Sequence, residues 1–183
     1  MPGSPAILCA DGSVGGNTGR WALQCLKYDP AVRVTVADLP QQLNFTRETM
    51  RQQGLESRVD FYAVDMLDET QSLPDGHDVI WMSQFLDCFS EAQIVSILRR
   101  AAAALGENGR LHILELFWDR QPNKTAAFCL QQTSLYFTCI ANGNSQMYQS
   151  ADLLRCLAEA GLQVIEEKDE VGQFHTWLKC GRA

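Results

Sequence analysis

Gly15, Gly16, Asn17 and Gly19 lie between an apolar run, Ala6-Ile7-Leu8-Cys9-Ala10, and a helical pattern that opens at Arg20-Trp21-Ala22-Leu23. A second apolar run, Val32 to Ala37, follows about twenty residues on and ends in Asp38. Glycine lets a backbone turn sharply and approach a ligand closely. An acid at the tip of a second strand accepts hydrogen bonds from two ribose hydroxyls. Strand, glycine turn, helix, strand and acid together make a nucleoside-binding half-fold.

The glycine spacing narrows the nucleoside. A dinucleotide fingerprint, G-x-G-x-x-G, would need glycine at positions 14, 16 and 19, and position 14 is Val14. The looser acid-x-G-x-G-x-G pattern of S-adenosyl-L-methionine (SAM) enzymes needs glycine at 15, 17 and 19; Gly15 and Gly19 fit, and Asn17 takes the middle place. Asn is the residue after glycine that best tolerates a left-handed backbone. The plainer alternative is an ordinary strand-turn-helix corner beside a solvated Asp38.

The elements that position these residues alternate. Strands are expected at 6–13, 32–37, 58–64, 77–82 and 111–116, with helices at 18–28, 40–53, 91–105, 123–141 and 151–160. Pro40 opens the second helix and Gly54 closes it; Ser90 and Ser150 read as N-caps of later ones. Gly106 and Gly109 frame the stop of the third helix, and Asn142-Gly143-Asn144 reads as a turn. Two last strands, 162–168 and 174–180, are joined by so few residues that they must run antiparallel. The expected fold is α/β: a doubly wound, Rossmann-like sheet of seven strands with a terminal antiparallel hairpin. The 183 residues form one expected domain, 1–183.

Composition limits the partners. A net charge of −7 and no basic cluster longer than Arg99-Arg100 argue against nucleic acid. No apolar run approaches the ~20 residues of a membrane span, and the N-terminus carries no signal-peptide pattern. Seven cysteines, none in a C-x-x-C pair, and three histidines offer no metal spacing. They suit a reducing, cytoplasmic setting.

The stretches Ser13 to Ala22, Val34 to Pro40, Val64-Asp65-Met66 and Trp81 to Asp87 resemble the catalytic domain of SAM-dependent O-methyltransferases. The likeness is to the group of plant phenolic enzymes and their bacterial small-molecule relatives, and it extends over nearly the whole chain. It implies a class I methyltransferase fold, SAM as cofactor and a small aromatic or polyketide-like hydroxyl acceptor. It implies that Gly15, Gly16, Asn17 and Gly19 wrap the methionine half. Asp38 would hold the ribose and Leu39 lie against the adenine. Asp65 would accept from the adenine amino group, Met66 pack on the ring, and Ser83 and Gln84 face the methionine end.

The chain departs from that pattern. Ser13 replaces the acid at the end of the first strand. Asp87 stands where plant members carry a histidine base; the alternative for Asp87 is a helix cap. The acid that would orient the base falls near Met147, and only Glu115 matches a family acid, so Asp87 and Glu115 are the candidate catalytic residues. The family's N-terminal helical domain, which supplies dimer contacts, is absent from this sequence. The apolar excess of helix 123–141 reads either as an uncovered interface, with self-association as a consequence, or as a helix central in the core. Two other functions compete: a SAM-binding domain without catalysis, and a nicotinamide-dependent oxidoreductase. Val14 and the lack of a Tyr-x-x-x-Lys relay disfavour the oxidoreductase.

Overall fold

The computed structural model describes residues 6–11, 19–140 and 144–183. Seven strands form one sheet: β1 (Ala6–Asp11), β2 (Arg33–Asp38), β3 (Val59–Ala63), β4 (His77–Ser83), β5 (Leu105–Glu115), β6 (Leu162–Val171) and β7 (His175–Arg182). Their order is β3-β2-β1-β4-β5-β7-β6. Strands β1 to β5 pair in parallel, while β7 runs antiparallel to both β5 and β6. Five helices complete the fold: α1 (Arg20–Tyr28), α2 (Pro40–Gln52), α3 (Glu91–Ala104), α4 (Lys124–Ile140) and α5 (Ser150–Glu159). The doubly wound sheet with one reversed strand is the expected architecture. No helix among the described residues is long and apolar enough to cross a membrane.

Alternation along the strands builds two cores. Ile80 and Met82 join Ile113, Leu98 and Leu157 in one cluster, while Trp81 between them packs against the other, with Leu26, Val36 and Met50. The second cluster lies under α1 and α2. Arg58 locks this half of the sheet by donating to the carbonyls of Leu26 at 3.0 Å, Asp29 at 2.5 Å and Val32 at 2.9 Å. Helix α3 is closed by a capping box: Ser90 serves the Gln93 backbone, and the Gln93 side chain accepts from Ser90 N–H at 2.9 Å.

Two local readings change, one open reading closes and one contact is new. The fifth strand begins at Leu105, not at 111, because Gly106 and Gly109 do not separate helix from strand. They let the chain pass close to β4: a Cβ on Gly109 would stand 2.7 Å from the His77 carbonyl oxygen. Ser150 is the first helical residue of α5, not its cap; its N–H and hydroxyl donate to Asp119 at 2.8 and 2.6 Å. Helix α4 has no buried residue, and Phe128, Leu135, Tyr136 and Ile140 are each more than half exposed, so it is not central in a core of the described residues. Finally, an aromatic stack not foreseen in the sequence crosses the sheet. Trp21 lies on Trp81 at 4.7 Å, Trp81 faces His112 at 6.2 Å, and His112 meets Trp177 at 5.4 Å. The register that pairs Trp81 with His112 sets it up.

Asp119 reaches the start of α5 from the turn before α4, supplying the oxygen that a helix N-terminus lacks. Asp119→Ala is expected to lower stability by about 1 kcal/mol, the usual cost of a lost N-terminal cap. Urea unfolding monitored by circular dichroism checks it; an unchanged midpoint would make the contact incidental.

Candidate cofactor and acceptor site

In a parallel sheet the chain leaves successive strands at one edge, and a crevice opens where the connections part to either side. Here that point lies between β1 and β4, which are hydrogen-bonded neighbours with β2 beyond one and β5 beyond the other. Gly15, Gly16 and Asn17 lie outside the described residues. Gly19 is within them and precedes α1 in the left-handed region, at φ 71°. A Cβ there would meet Thr46 Cγ2 at 2.6 Å and Met50 Cε at 2.9 Å, so the chain enters α1 only with a bare backbone against α2.

Asp38 and Asp65 stand at the ends of adjacent strands. Asp38 closes β2, and its Oδ1 accepts the Leu39 N–H at 2.7 Å. Leu39 is 45% exposed beside it. Asp65 lies two residues past β3, exposed, with Oδ1 on the Leu67 N–H at 2.9 Å. Its own N–H donates to Gln71 Oε1 at 3.0 Å. Arg100 on α3 fastens this loop by donating to the carbonyls of Met66, Asp68 and Gln71. The Met66 side chain turns the other way, into the core.

The exit from β4 is more constrained. Ser83 is buried at its last position, between β1 and β5. Gln84 follows at φ 46°, a left-handed conformation uncommon for a residue with a side chain, and its N–H donates to the Leu114 carbonyl at 2.9 Å. The next two N–H groups, of Phe85 and Leu86, both donate to Glu115 Oε1 at 2.8 Å. Glu115 is 2% exposed, and its Oε1 holds this turn.

Asp87 belongs to the single helical turn Leu86–Cys88. The capping box of α3 uses Ser90 and Gln93, which displaces the helix-cap reading of Asp87. Burial raises its carboxyl above the ordinary carboxylate range, against a weaker opposing bond from the Cys88 thiol. Burial also pushes that thiol up to about 12. Asp87 borders a small cavity with Glu115 and Tyr148.

A larger cavity of about 500 Å³ opens between the first half of α4 and the tips of β4 and β7. Leu116, Ala126, Leu130 and Phe174 make its wall mostly apolar, and Gln84 and His175 are among its polar groups. Gln84 Nε2 lies 2.9 Å from His175 Nε2. Asp87 is not among the residues that line it. His175 drew no attention as sequence, although its place at the head of the reversed last strand puts it at the same edge as the end of β5, where Glu115 pairs with Thr176.

A family model for the O-methyltransferase domain matches residues 8–163. A 3-hydroxy-5-methyl-1-naphthoate 3-O-methyltransferase of Streptomyces sahachiroi is 32% identical over 106 residues, which cover 58% of this chain and 30% of that protein. The apo structure of the S-adenosylmethionine-dependent methyltransferase SibL is 30% identical, with a TM-score of 0.80 over 98% of this chain and 50% of the other. The neocarzinostatin O-methyltransferase NcsB1, solved with S-adenosylmethionine and 2-hydroxy-5-methyl naphthoic acid, shares the fold at TM-score 0.79 and 21% identity, over 98% of this chain and 49% of the other. The chain thus spans half or less of the length of these relatives.

A carboxyl raised in the folded state binds its proton more tightly there than in the unfolded chain. Such a group costs stability once ionised: the folded state is favoured below the unfolded pKa, and the advantage is lost as pH rises through the folded pKa. Asp87→Asn is therefore expected to unfold at higher urea than the parent near neutral pH, with the gain vanishing below about pH 4, where both forms are uncharged. Paired urea curves at the two pH values check this. A destabilised Asp87→Asn at neutral pH would mean that the carboxylate makes a favourable charged contact.

Proposed function

The chain belongs to the O-methyltransferase domain family, and from that premise we propose that it binds SAM along the β1–β4 edge and methylates a hydroxyl on a small aromatic or polyketide-like acceptor. One observation carries this reading. Two acids at the ends of adjacent strands, Asp38 and Asp65, share an edge with an apolar cavity of acceptor size that begins at Gln84. The residues present suit the cofactor. A partly exposed carboxylate at the tip of β2, already oriented by the Leu39 N–H, is placed to accept from ribose hydroxyls. Asp65, on a loop pinned by Arg100, is placed to accept from the adenine amino group, with Leu39 against the ring and Met66 behind. We assign the methionine end to Gly15, Gly16, Asn17, Gly19, Ser83 and Gln84.

Bound there, SAM supplies a methyl already activated on a sulfonium. The chain's own task is then to orient the acceptor and keep water away, and effective alignment lowers a barrier by several kcal/mol, up to about 7–11. The apolar wall suits a flat, poorly hydrated ring, and the naphthoate acceptors named for two relatives are of that class. A competing reading, SAM binding without turnover, draws on Asp87: the carboxylate that takes the place of a base does not line the large cavity. The reduced thiols of Cys25, Cys156 and Cys180 suit the reducing cytoplasm. The exposed apolar residues of α4 favour self-association.

Calorimetry with SAM and S-adenosylhomocysteine tests the assignment. Asp38→Ala is expected to weaken both by about 2–3 kcal/mol, through loss of charge-assisted bonds. Asp65→Ala should cost about 1–2 kcal/mol and reduce discrimination against an inosine analogue. Equal affinity in Asp38→Ala and the parent removes the ribose assignment, and tighter binding of NADH than of SAM overturns the class.

A further inference from the structure

A hydroxyl must lose its proton as it is methylated, and an ordinary carboxylate, with a pKa near 4, is a weak match for a phenol near 10. Asp87 occupies the base position after β4, yet it lies against the small cavity beside Glu115 and Tyr148. The acceptor cavity has a different titratable group. His175 heads β7, the strand that runs backwards, so its first residue arrives at the edge where β4 and β5 end. Its Nε2 is 2.9 Å from the amide of Gln84, and both side chains line the cavity.

We propose that His175 is the proton acceptor for the acceptor hydroxyl, held ready by Gln84; this rests on the methyl-transfer reading. Val171 stands opposite His175 in the register of the hairpin. An amide nitrogen only donates, so the 2.9 Å contact makes the ring Nε2 the acceptor facing Gln84. Burial holds the imidazole below its usual pKa, so it is neutral at physiological pH. The surrounding charges are occupied elsewhere. Arg120 pairs with Glu167 and Asp169 on β6, Thr176 also donates to Asp169, and Glu115 serves the β4 turn. Lys179 pairs with Glu166, Arg182 donates to the carbonyls of Ala102 and Gly106, and Lys168, Glu170 and Lys124 are exposed.

Gln84 is the second sign of a built site. Its backbone is held at φ 46° between the Leu114 carbonyl and the Glu115 grip on Phe85 and Leu86. Strain of this kind persists only where the surroundings over-determine it, and it clusters at functional sites. The conformation aims the Gln84 amide at His175. An incoming hydroxyl replaces the amide as donor to Nε2. Its proton passes to Nε2, the oxygen's electron pair forms the new O–C bond as the C–S bond breaks with its pair to sulfur, and the imidazolium returns the proton to solvent.

The experiment uses 4-nitrophenol, whose phenolate absorbs in the visible. In the parent, bound nitrophenol should ionise at lower pH than free nitrophenol. His175→Gln should abolish that shift while leaving S-adenosylhomocysteine affinity unchanged, and Gln84→Ala should reduce it. Asp87→Asn should keep it. Turnover of an unactivated phenol should fall ~10²–10⁴-fold in His175→Gln, and turnover of nitrophenol, ionised already near neutrality, should fall far less. A shift that survives in His175→Gln, is absent from the parent or disappears in Asp87→Asn overturns the proposal. A parent that shows the shift but binds no S-adenosylhomocysteine removes the methyl-transfer reading and leaves the proton acceptor in place.

Discussion

The grip of Glu115 on the backbone of Phe85 and Leu86 is the contact on which the rest of the edge depends. Two 2.8 Å bonds from one buried carboxylate oxygen stop β4 and turn the chain. Without them, two backbone N–H groups would face the interior unpaired, at a cost of about 1–3 kcal/mol each. Gln84, one residue before the grip, has no freedom to leave its left-handed conformation. A side chain that lines the large cavity is therefore set by an acid on the neighbouring strand. A carboxylate in that role is a different device from a carboxylate that handles protons. The sequence suggested the second role for Glu115, because an acid after the fifth strand looks the same in both.

The candidate ligand groups collect at one edge for a topological reason. Parallel strands all leave the sheet on the same side, which brings Asp38, Asp65 and Ser83 together across β2, β3 and β4. The reversed β7 adds a strand beginning rather than a strand end, and so contributes His175. Strand β6, which runs in the direction of β5, carries exposed residues over most of its length and contributes none of the groups that line the cavity.

Most of the architecture was legible because α/β proteins alternate period-two and period-3.6 segments, and this chain does so with clear breaks at Pro40, Gly54 and Gly161. The acids at strand tips were legible for the same reason: a strand's end fixes where its last side chain goes. What was not legible rests on contacts between distant segments. Asp119 caps α5 from thirty-one positions away, and Trp81, His112 and Trp177 form one stack from three strands. Gly109 looked like a helix stop, and only the His77 carbonyl pressed against it shows why glycine is there. His175 was hidden in the same way. A lone histidine at the start of a strand carries no signal until the fold brings the Gln84 amide to 2.9 Å from it.

The acids of this site also show how differently buried carboxyls work. Glu115 lies deeper, at 2% exposed, yet two backbone donors meet its charge. Asp87 is less deeply set, and a thiol at 3.6 Å is a poor donor, so burial dominates and its carboxyl rises. A buried acid without strong donors costs stability whenever it is ionised. Chains retain such costs where a function needs the group or where a neighbour needs its backbone. The Asp87 backbone also serves a neighbour: its carbonyl accepts the Gln146 N–H at 2.9 Å and ties the β4 exit to the segment that leads into α5. That bond needs no side chain. If the carboxyl has no proton to accept, its position is an expense that an amide would avoid, and proton transfer falls to the one imidazole on the cavity wall.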